Sequence, residues 1–222
     1  MKKWIAFITG LIIFDGFALL GWGVNRIPAF INNPYRLTYL ILMAFLSLLV
    51  ILFVPNEGKG YGEGKSPLKK HRISLLILQI VPSLLVLLSP LSDRTGICTF
   101  PESNGLRLAG LILTSAGFVW MNLAIMALGK QFSVDVTIQE GHRLVTSGPY
   151  KYIRHPRYLG IIVFLTGISL VFRSWMAILI VVFVTGVLIW RVLDEEKLMA
   201  AEFPDEWKEY KKRSRALIPF IW

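Results

Sequence analysis

The chain has 222 residues, of which 55% are hydrophobic and only 17% are charged, and its formal net charge is +10. Soluble domains carry about 25% charged residues, so this composition excludes an ordinary soluble domain. The basic residues flank apolar runs instead of alternating with aromatic residues on a polar face, which argues against a nucleic-acid partner. We therefore predict an integral membrane protein in contact with membrane lipids.

Four apolar runs lie in the first 128 residues, and each has roughly the 20 residues that a helix needs to cross a bilayer. They cover residues 4–23, 37–54, 73–91 and 106–128. The first run is long enough to span and is followed by no small-residue cleavage motif, which favours a membrane helix over a signal peptide. Asp15 lies midway along it, where a carboxylate is costly and indicates either a functional role or a pairing with a neighbouring helix. Pro82 predicts a kink in the third run.

The character of the chain changes after residue 128. Residues 129–157 are polar, and two further apolar runs follow at 158–172 and 175–190, separated only by Arg173 and Ser174. Two apolar helices joined by so short a turn predict a helical hairpin, whose first arm is slightly short for a full span. We therefore predict an all-α polytopic membrane protein with four transmembrane helices in residues 1–128. Residues 129–222 are predicted to form a second region, with the hairpin and a cytoplasmic tail.

The distribution of basic residues predicts the orientation in the membrane. With the N-terminus and the C-terminus both cytoplasmic, 19 of the 24 Lys and Arg residues lie on the cytoplasmic side. The residues left on the far side are Arg26, Arg36, Arg94, Arg107 and Arg173. The opposite orientation would reverse this bias.

Two short polar motifs carry the chemical signal. His155 comes directly before Pro156, a favourable first residue of a helix, so it should lie among free backbone N–H groups. Arg191 and Glu195 are four residues apart and share a helix face at the other end of the hairpin. Because both arms begin and end on one side, the hairpin should bring the two motifs together. Each motif alone could be an interfacial anchor, and Glu195-Glu196 could be a solvated helix start.

Metal chemistry is not indicated. Cys98 is the only cysteine, which excludes an intrachain disulfide and a zinc cluster built on cysteines. The three histidines, His71, His142 and His155, show no metal-ligand spacing. We predict no metal site.

The motifs taken together resemble one known family. They read His142-x-Leu-Val-Thr-Ser-Gly-x-Tyr150-x-x-x-Arg-His155-Pro-x-Tyr158-x-Gly160, then Arg191-x-x-x-Glu195-Glu196, then Phe203…Glu206-x-x-x-Tyr210-Lys-Lys-Arg…Ile218-Pro-Phe-Ile. This pattern, over residues 131–221, resembles the isoprenylcysteine carboxyl methyltransferase family and is more loosely similar to the phospholipid N-methyltransferases.

The resemblance implies a membrane methyltransferase that uses S-adenosylmethionine and modifies a lipid-like or isoprenylcysteine-like acceptor from the bilayer, at a carboxylate. It implies that Arg191 orients the acceptor and that Glu195 acts at the site of the reaction. The resemblance also implies a cytoplasmic cofactor pocket next to the hairpin. The residues implied to bind the cofactor there are Gln139, His142, Leu144, Val145, Gly148, Tyr150, His155, Pro156, Tyr158 and Glu195.

Two alternatives stay open at this point. A membrane reductase of the sterol type, dependent on NADPH, looks distantly similar in the same region, but its phosphates should require more convergent Arg and Lys. A non-enzymatic membrane protein would bind no nucleotide-like ligand and would not require His155 beside Glu195.

Overall fold

The computed structural model describes residues 2–53, 70–129 and 144–217, and within these ranges the chain is helical apart from turns, short extended segments and two isolated β-bridges. In chain order the elements are α1 (Lys2–Gly10), a π-helical segment (Leu11–Gly16), α2 (Phe17–Trp22), a 3-10 turn (Val24–Arg26), α3 (Ile27–Ile31), α4 (Pro34–Phe53), α5 (Lys70–Thr95), α6 (Asn104–Leu128), a 3-10 turn (Gly148–Lys151), α7 (Pro156–Val171), α8 (Trp175–Glu202) and α9 (Pro204–Arg213). The predicted all-α class is confirmed for the described residues.

The first apolar run forms part of a bent helix pair. The helix from Phe7 to Trp22 meets a second one, Val24–Ile31, at an angle of 78°, and only the two together are long enough to count as one span. The break falls at Gly23, whose φ of +103° is a left-handed value that side chains rarely adopt. Residues 24–31, expected to be a connection, are therefore helical and belong to a broken span or a re-entrant loop.

Among the described residues, four unbroken helices are long and apolar enough to cross a membrane, and the bent pair would make five. They are α4, α5, α6 and α8. The first three match the predicted runs with extra turns at their ends, and α7 is shorter, as expected for the first arm of the hairpin. α5 continues as one helix through Pro82, and the kink there stays a prediction.

The second arm of the hairpin is longer than predicted. We expected it to end at Trp190, whereas α8 continues to Glu202. Charged residues can extend an apolar helix because its backbone hydrogen bonds do not depend on side-chain polarity. As a result Arg191, Glu195 and Glu196 lie on the same continuous helix.

α6 and the first arm of the hairpin are in unusually close contact. A Cβ on Gly167 would lie 2.3 Å from the backbone nitrogen of Thr114, and one on Gly117 would lie 2.4 Å from that of Phe164. Only glycine leaves room for two helix backbones at such a distance, which is a common way for membrane helices to associate. This contact fixes the position of α7, and with it His155. The predicted division of the chain at residue 128 stays an interpretation.

A buried ion-pair cluster lies at the end of the helix bundle where α5 finishes, which we call the Asp93 end. Asp93 is 3.1 Å from Arg36, 2.9 Å from Arg107 and 2.6 Å from Arg173. Glu102 completes the cluster, 2.8 Å from Arg107 and 3.1 Å from Arg173. Three of the five arginines assigned to the far side thus neutralise the buried Asp93 and connect α4, α5, α6 and the hairpin turn.

The opposite end of the bundle, which we call the His155 end, carries the predicted site. The start of α5 lies at this end, since Ser74, the fifth residue of α5, contacts Arg191 near the end of the apolar part of α8. The 19 residues from Ser74 to Asp93 separate the two ends by about 28 Å at a rise of 1.5 Å per residue. Which end faces the cytoplasm stays a prediction.

Candidate functional site

The hairpin brings the histidine-proline corner and the acidic pair together, as predicted. His155 directly precedes α7, and α8 returns to the same end. The Nδ1 of His155 is 3.2 Å from Glu195 Oε2, and the Nε2 of His155 is 3.7 Å from Glu196 Oε1. The juxtaposition is confirmed, while the role of these residues stays a prediction.

Tyr158 and Arg191 extend this contact toward the interior of the bundle. The rings of His155 and Tyr158 are parallel, with centroids 5.8 Å apart. The Tyr158 hydroxyl donates to Glu195 Oε1 and accepts from Arg191 Nε at 3.2 Å. Arg191 also donates from Nη1 to Ser74 Oγ at 3.1 Å, and its Nη2 is 3.6 Å from Glu195 Oε1. The predicted shared face of Arg191 and Glu195 is confirmed.

Glu196 is held on the other side of the corner. Arg154 Nε donates to its Oε1 at 2.7 Å, and Lys211 Nζ is 3.1 Å from its Oε2. The interpretation of Glu195-Glu196 as a solvated helix start is therefore wrong, since the helix begins twenty residues earlier at Trp175 and both carboxylates are ion-paired. We call these residues together the His155 network. Its members are His155, Tyr158, Arg191, Glu195 and Glu196, with Arg154, Lys211 and Ser74 around them.

The two carboxylates control the protonation of His155. Burial by itself would lower the pKa of this imidazole, but the hydrogen bond to Glu195 and the charges of Glu195 and Glu196 outweigh burial and raise that pKa above its ordinary value. The structure therefore favours an imidazolium cation between two anions. In that state His155 orients carboxylates and is not a proton acceptor.

The C-terminal segment fixes the backbone of the corner. Arg154 N donates to Arg215 O at 2.7 Å, His155 N donates to Ala216 O at 3.0 Å, and Arg215 N donates to Tyr152 O at 2.9 Å. Arg154 also donates through Nη1 to the carbonyl of Ser214 at 2.6 Å. These bonds satisfy backbone groups just before α7 and set the direction from which His155 reaches α8.

α9, which begins directly after Phe203, packs over the same region. Trp207 and Tyr210 are buried. The Tyr210 hydroxyl donates to the carbonyl of Tyr150 at 2.6 Å. Burial raises the pKa of the Tyr150 hydroxyl, and the charges of Arg157 and Glu195 also act on that pKa, so Tyr150 lies near the network.

The other predicted cofactor residues are less closely connected. Pro156 is buried as the first residue of α7, and Gly148 opens the 3-10 turn with a left-handed φ of +59°. Leu144 and Val145 are half-buried. Gln139 and His142 lie outside the described residues. The predicted cofactor pocket around all ten residues therefore stays a prediction.

An apolar cavity of about 300 Å³ adjoins the network. Its walls come from the π-helical segment, α5, α7 and α8. The lining residues are Ile13, Phe14, Leu75, Leu78, Gln79, Pro82, Ser83, Arg157, Tyr158, Ile161 and Arg191. The cavity is thus mainly apolar, with two guanidinium groups and a phenol at the His155 end. Its volume is at the lower limit of typical small-molecule sites, about 300–1,000 Å³.

Asp15 adjoins this cavity without lining it. Its neighbours Ile13 and Phe14 contribute to the wall, and the π-helical segment changes the direction of side chains around it. Both carboxylate oxygens are buried and find no hydrogen-bond partner among the described residues. The predicted pairing of Asp15 with a neighbouring helix is therefore not observed in the described part of the chain.

Several residues of the site were not predicted from the sequence. Arg157 was counted only among the basic residues of the cytoplasmic side and Lys211 only as part of the tail. Ser74 lies inside the third apolar run and was not singled out. Arg154 lies in the quoted motif, but nothing in the sequence shows that it binds Glu196. Among residues 2–53, 70–129 and 144–217, no group of three or more His, Cys, Asp or Glu could hold a metal ion.

The spanning helices and the polar network at one end define a multi-pass integral membrane protein with a site at the edge of the bundle. Residues 109–201 match the model of the isoprenylcysteine carboxyl methyltransferase family. A protein-S-isoprenylcysteine O-methyltransferase of Saccharomyces cerevisiae is 29% identical over 91% of this chain and 87% of its own length. Isoform A of the same enzyme in Arabidopsis thaliana is 28% identical over 67% of this chain and 79% of its own. This chain is thus similar to isoprenylcysteine carboxyl methyltransferases over most of its length.

A solved structure, that of the eukaryotic intramembrane Ras methyltransferase of this family, aligns over 97% of this chain and 98% of that chain. The alignment has a TM-score of 0.47 and 18% sequence identity.

Proposed function

We propose that this protein is a membrane methyltransferase that transfers a methyl group from S-adenosylmethionine to the carboxylate of an isoprenylcysteine-like amphiphile. The family match and the relatives support the reaction class. The observation that carries the proposal is that an apolar cavity ends at Tyr158 and Arg191, and that these same two residues contact Glu195 and, through it, His155. An apolar acceptor and a polar cofactor could therefore meet at one place.

The cavity suits the acceptor. Its apolar walls would take up a hydrocarbon tail, because burying apolar surface away from water is favourable and ligand sites are lined mainly by apolar side chains. Arg191 lies at its polar end and is buried, and a guanidinium presents a planar fork that fits a carboxylate. The acceptor would then place its anionic head beside the network and its tail between the π-helical segment and α5.

The His155 network suits the cofactor. S-adenosylmethionine is cationic at sulfur, and carboxylates and aromatic faces are the groups that attract such a cation. Glu195 and Glu196 retain an exposed edge, with side-chain exposures of 20% and 14%, and the His155 and Tyr158 rings lie beside them. We propose that these residues bind it together with Gln139, His142, Leu144, Val145, Gly148, Tyr150 and Pro156. When bound, the cofactor supplies an electrophilic methyl group.

The residues present do not need to move a proton. An acceptor carboxylate is ionised at neutral pH and is already a nucleophile. His155 lies between two carboxylates that raise the pKa of its imidazole, which fits a positioning role better than that of a general base. Arg191 would orient the acceptor, and desolvation in the apolar cavity would strengthen its interaction with the carboxylate.

Binding and turnover in purified protein test the proposal. In detergent micelles, we expect S-adenosylhomocysteine to bind by calorimetry, NADPH not to bind, and radiolabelled methyl groups to reach S-farnesyl-N-acetylcysteine. His155→Ala and Glu195→Ala should lose S-adenosylhomocysteine binding, whereas Arg191→Ala should keep most of it and lose turnover. Undiminished affinity in both of the first two variants, or saturable binding of NADPH instead, would contradict the assignment.

A further inference from the structure

Arg157 is a second cation at the polar end of the cavity. It is the second residue of α7, and it lines the cavity together with Tyr158 and Arg191. Its Nε is buried. The remaining walls are largely apolar, so the two guanidinium groups dominate the electrostatics at this end.

The arginine one turn earlier has a different environment. Arg154 binds Glu196 and the carbonyl of Ser214, and it is not among the residues that line the cavity. The helix start thus directs one arginine toward the acidic pair and the other toward the apolar space. Both are partly buried, so they form a matched pair for comparison.

Arg191 is largely committed to the protein. Its Nε donates to Tyr158, its Nη1 donates to Ser74, and its Nη2 faces Glu195 at 3.6 Å, so all three nitrogens of its guanidinium already have protein partners. Its charge is also shared with Glu195. A carboxylate offers two oxygens with about four acceptor positions, and burying one in apolar surroundings is costly without a full counter-charge.

We propose that Arg157 binds the carboxylate of the acceptor together with Arg191, and that this two-arginine clamp selects anionic amphiphiles over neutral ones of the same shape. The inference rests on the proposed function, because it assigns an acceptor to the cavity. Arg157 is planar, permanently charged and able to donate two parallel hydrogen bonds, whichever partner it keeps in the free protein.

Kinetics with one acceptor and two competitors test the clamp. With S-farnesyl-N-acetylcysteine as acceptor, Arg157→Gln should raise KM by about 10- to 100-fold, as for loss of a charge-assisted hydrogen bond. The affinity of Arg157→Gln for S-adenosylhomocysteine should stay within about twofold of the wild-type value, since Arg157 lies outside the proposed cofactor contacts. Arg157→Lys should recover the charge but only part of the affinity, because an ammonium lacks the fork.

The neutral competitor separates a binding role from a structural one. Wild-type protein should bind a non-reactive S-farnesyl thioether carboxylate more tightly than its carboxamide, and Arg157→Gln should remove this preference by weakening the carboxylate alone. Arg154→Gln should instead weaken S-adenosylhomocysteine and leave the preference intact. An unchanged preference in folded Arg157→Gln or Arg157→Lys would overturn the inference.

The two proposals can fail separately. If wild-type protein transfers methyl groups and Arg157→Gln keeps its preference for the carboxylate, only the clamp is wrong. If wild-type protein binds no S-adenosylhomocysteine, the methyltransferase proposal is wrong, and direct calorimetry with the two competitors still decides whether Arg157 confers anion preference.

Discussion

Replacing Glu195 by glutamine removes the charge on which the site depends while keeping the shape of the side chain. The carboxylate lies 3.2 Å from His155 and 3.6 Å from Arg191, and both of these cations are buried. Leaving buried charges without their counter-charge costs about 3–5 kcal/mol. Because the Glu195 side chain is 20% exposed, we expect the lower value, about 3 kcal/mol.

A loss of this size is measurable by thermal unfolding. For a chain of this length it corresponds to a decrease in Tm of about 6–12 °C. The assay is intrinsic tryptophan fluorescence during heating in detergent micelles at pH 7, with the ligand-free protein. The control is Glu209→Gln, since the Glu209–Lys212 pair is 67% and 62% exposed and should give no measurable shift. If both variants unfold at the same temperature, Glu195 does not neutralise His155 and Arg191, and the account of the network fails.

Three further predictions concern the packing, the protonation and the far end of the bundle. Gly167→Ala should lower the free energy of unfolding by about 1–3 kcal/mol, because its Cβ would overlap Thr114 across the helix contact. Gly186→Ala is the control in the same thermal unfolding assay and should be neutral or slightly stabilising, since nothing lies within 4 Å of its Cβ position. Because the pKa of His155 is raised in the folded state, its contribution to stability should be complete below about pH 6.5 and should be lost as the pH rises through the folded-state pKa. Between about pH 6 and pH 9, the Tm of His155→Gln should therefore fall less than the Tm of wild type. Asp93→Asn should cost about 3–5 kcal/mol, since three arginines lose one buried partner, while S-adenosylhomocysteine affinity of the folded protein measured by calorimetry should be unchanged.

The hairpin shows which parts of the site could be derived from the sequence. The short turn at Arg173-Ser174 and the two apolar runs were sufficient to predict that His155 and Glu195 meet, since both arms must return to one side. The extension of α8 to Glu202 was missed because hydropathy falls at Arg191 although the helix continues. The fall in hydropathy reports where an apolar environment ends and not where hydrogen bonding of the helix ends.

The partners of the charged residues could not be derived in the same way. Arg154, Lys211 and Ser74 reach the network from three different segments, and their contacts with Glu196 and Arg191 span 15 to 117 positions in sequence. Side chains at such separations become neighbours only through helix packing, which has no local periodic signal. The bend at Gly23 was equally hidden, since an apolar run has the same composition whether its helix is straight or broken.

The sequence by itself determined that the chain is helical, that it crosses a membrane, and that its polar chemistry is concentrated in residues 129–222, because hydrophobic runs and short motifs are local properties. Only the tertiary structure decided that Arg191 is bound to Tyr158 and Ser74, that Arg157 and not Arg154 faces the cavity, and that Asp93 gathers three arginines. The physical reason is that the direction of each charged side chain is set by which helices meet. That, in turn, depends on glycine contacts such as Gly167 against Thr114, where two backbones approach so closely that no larger residue fits.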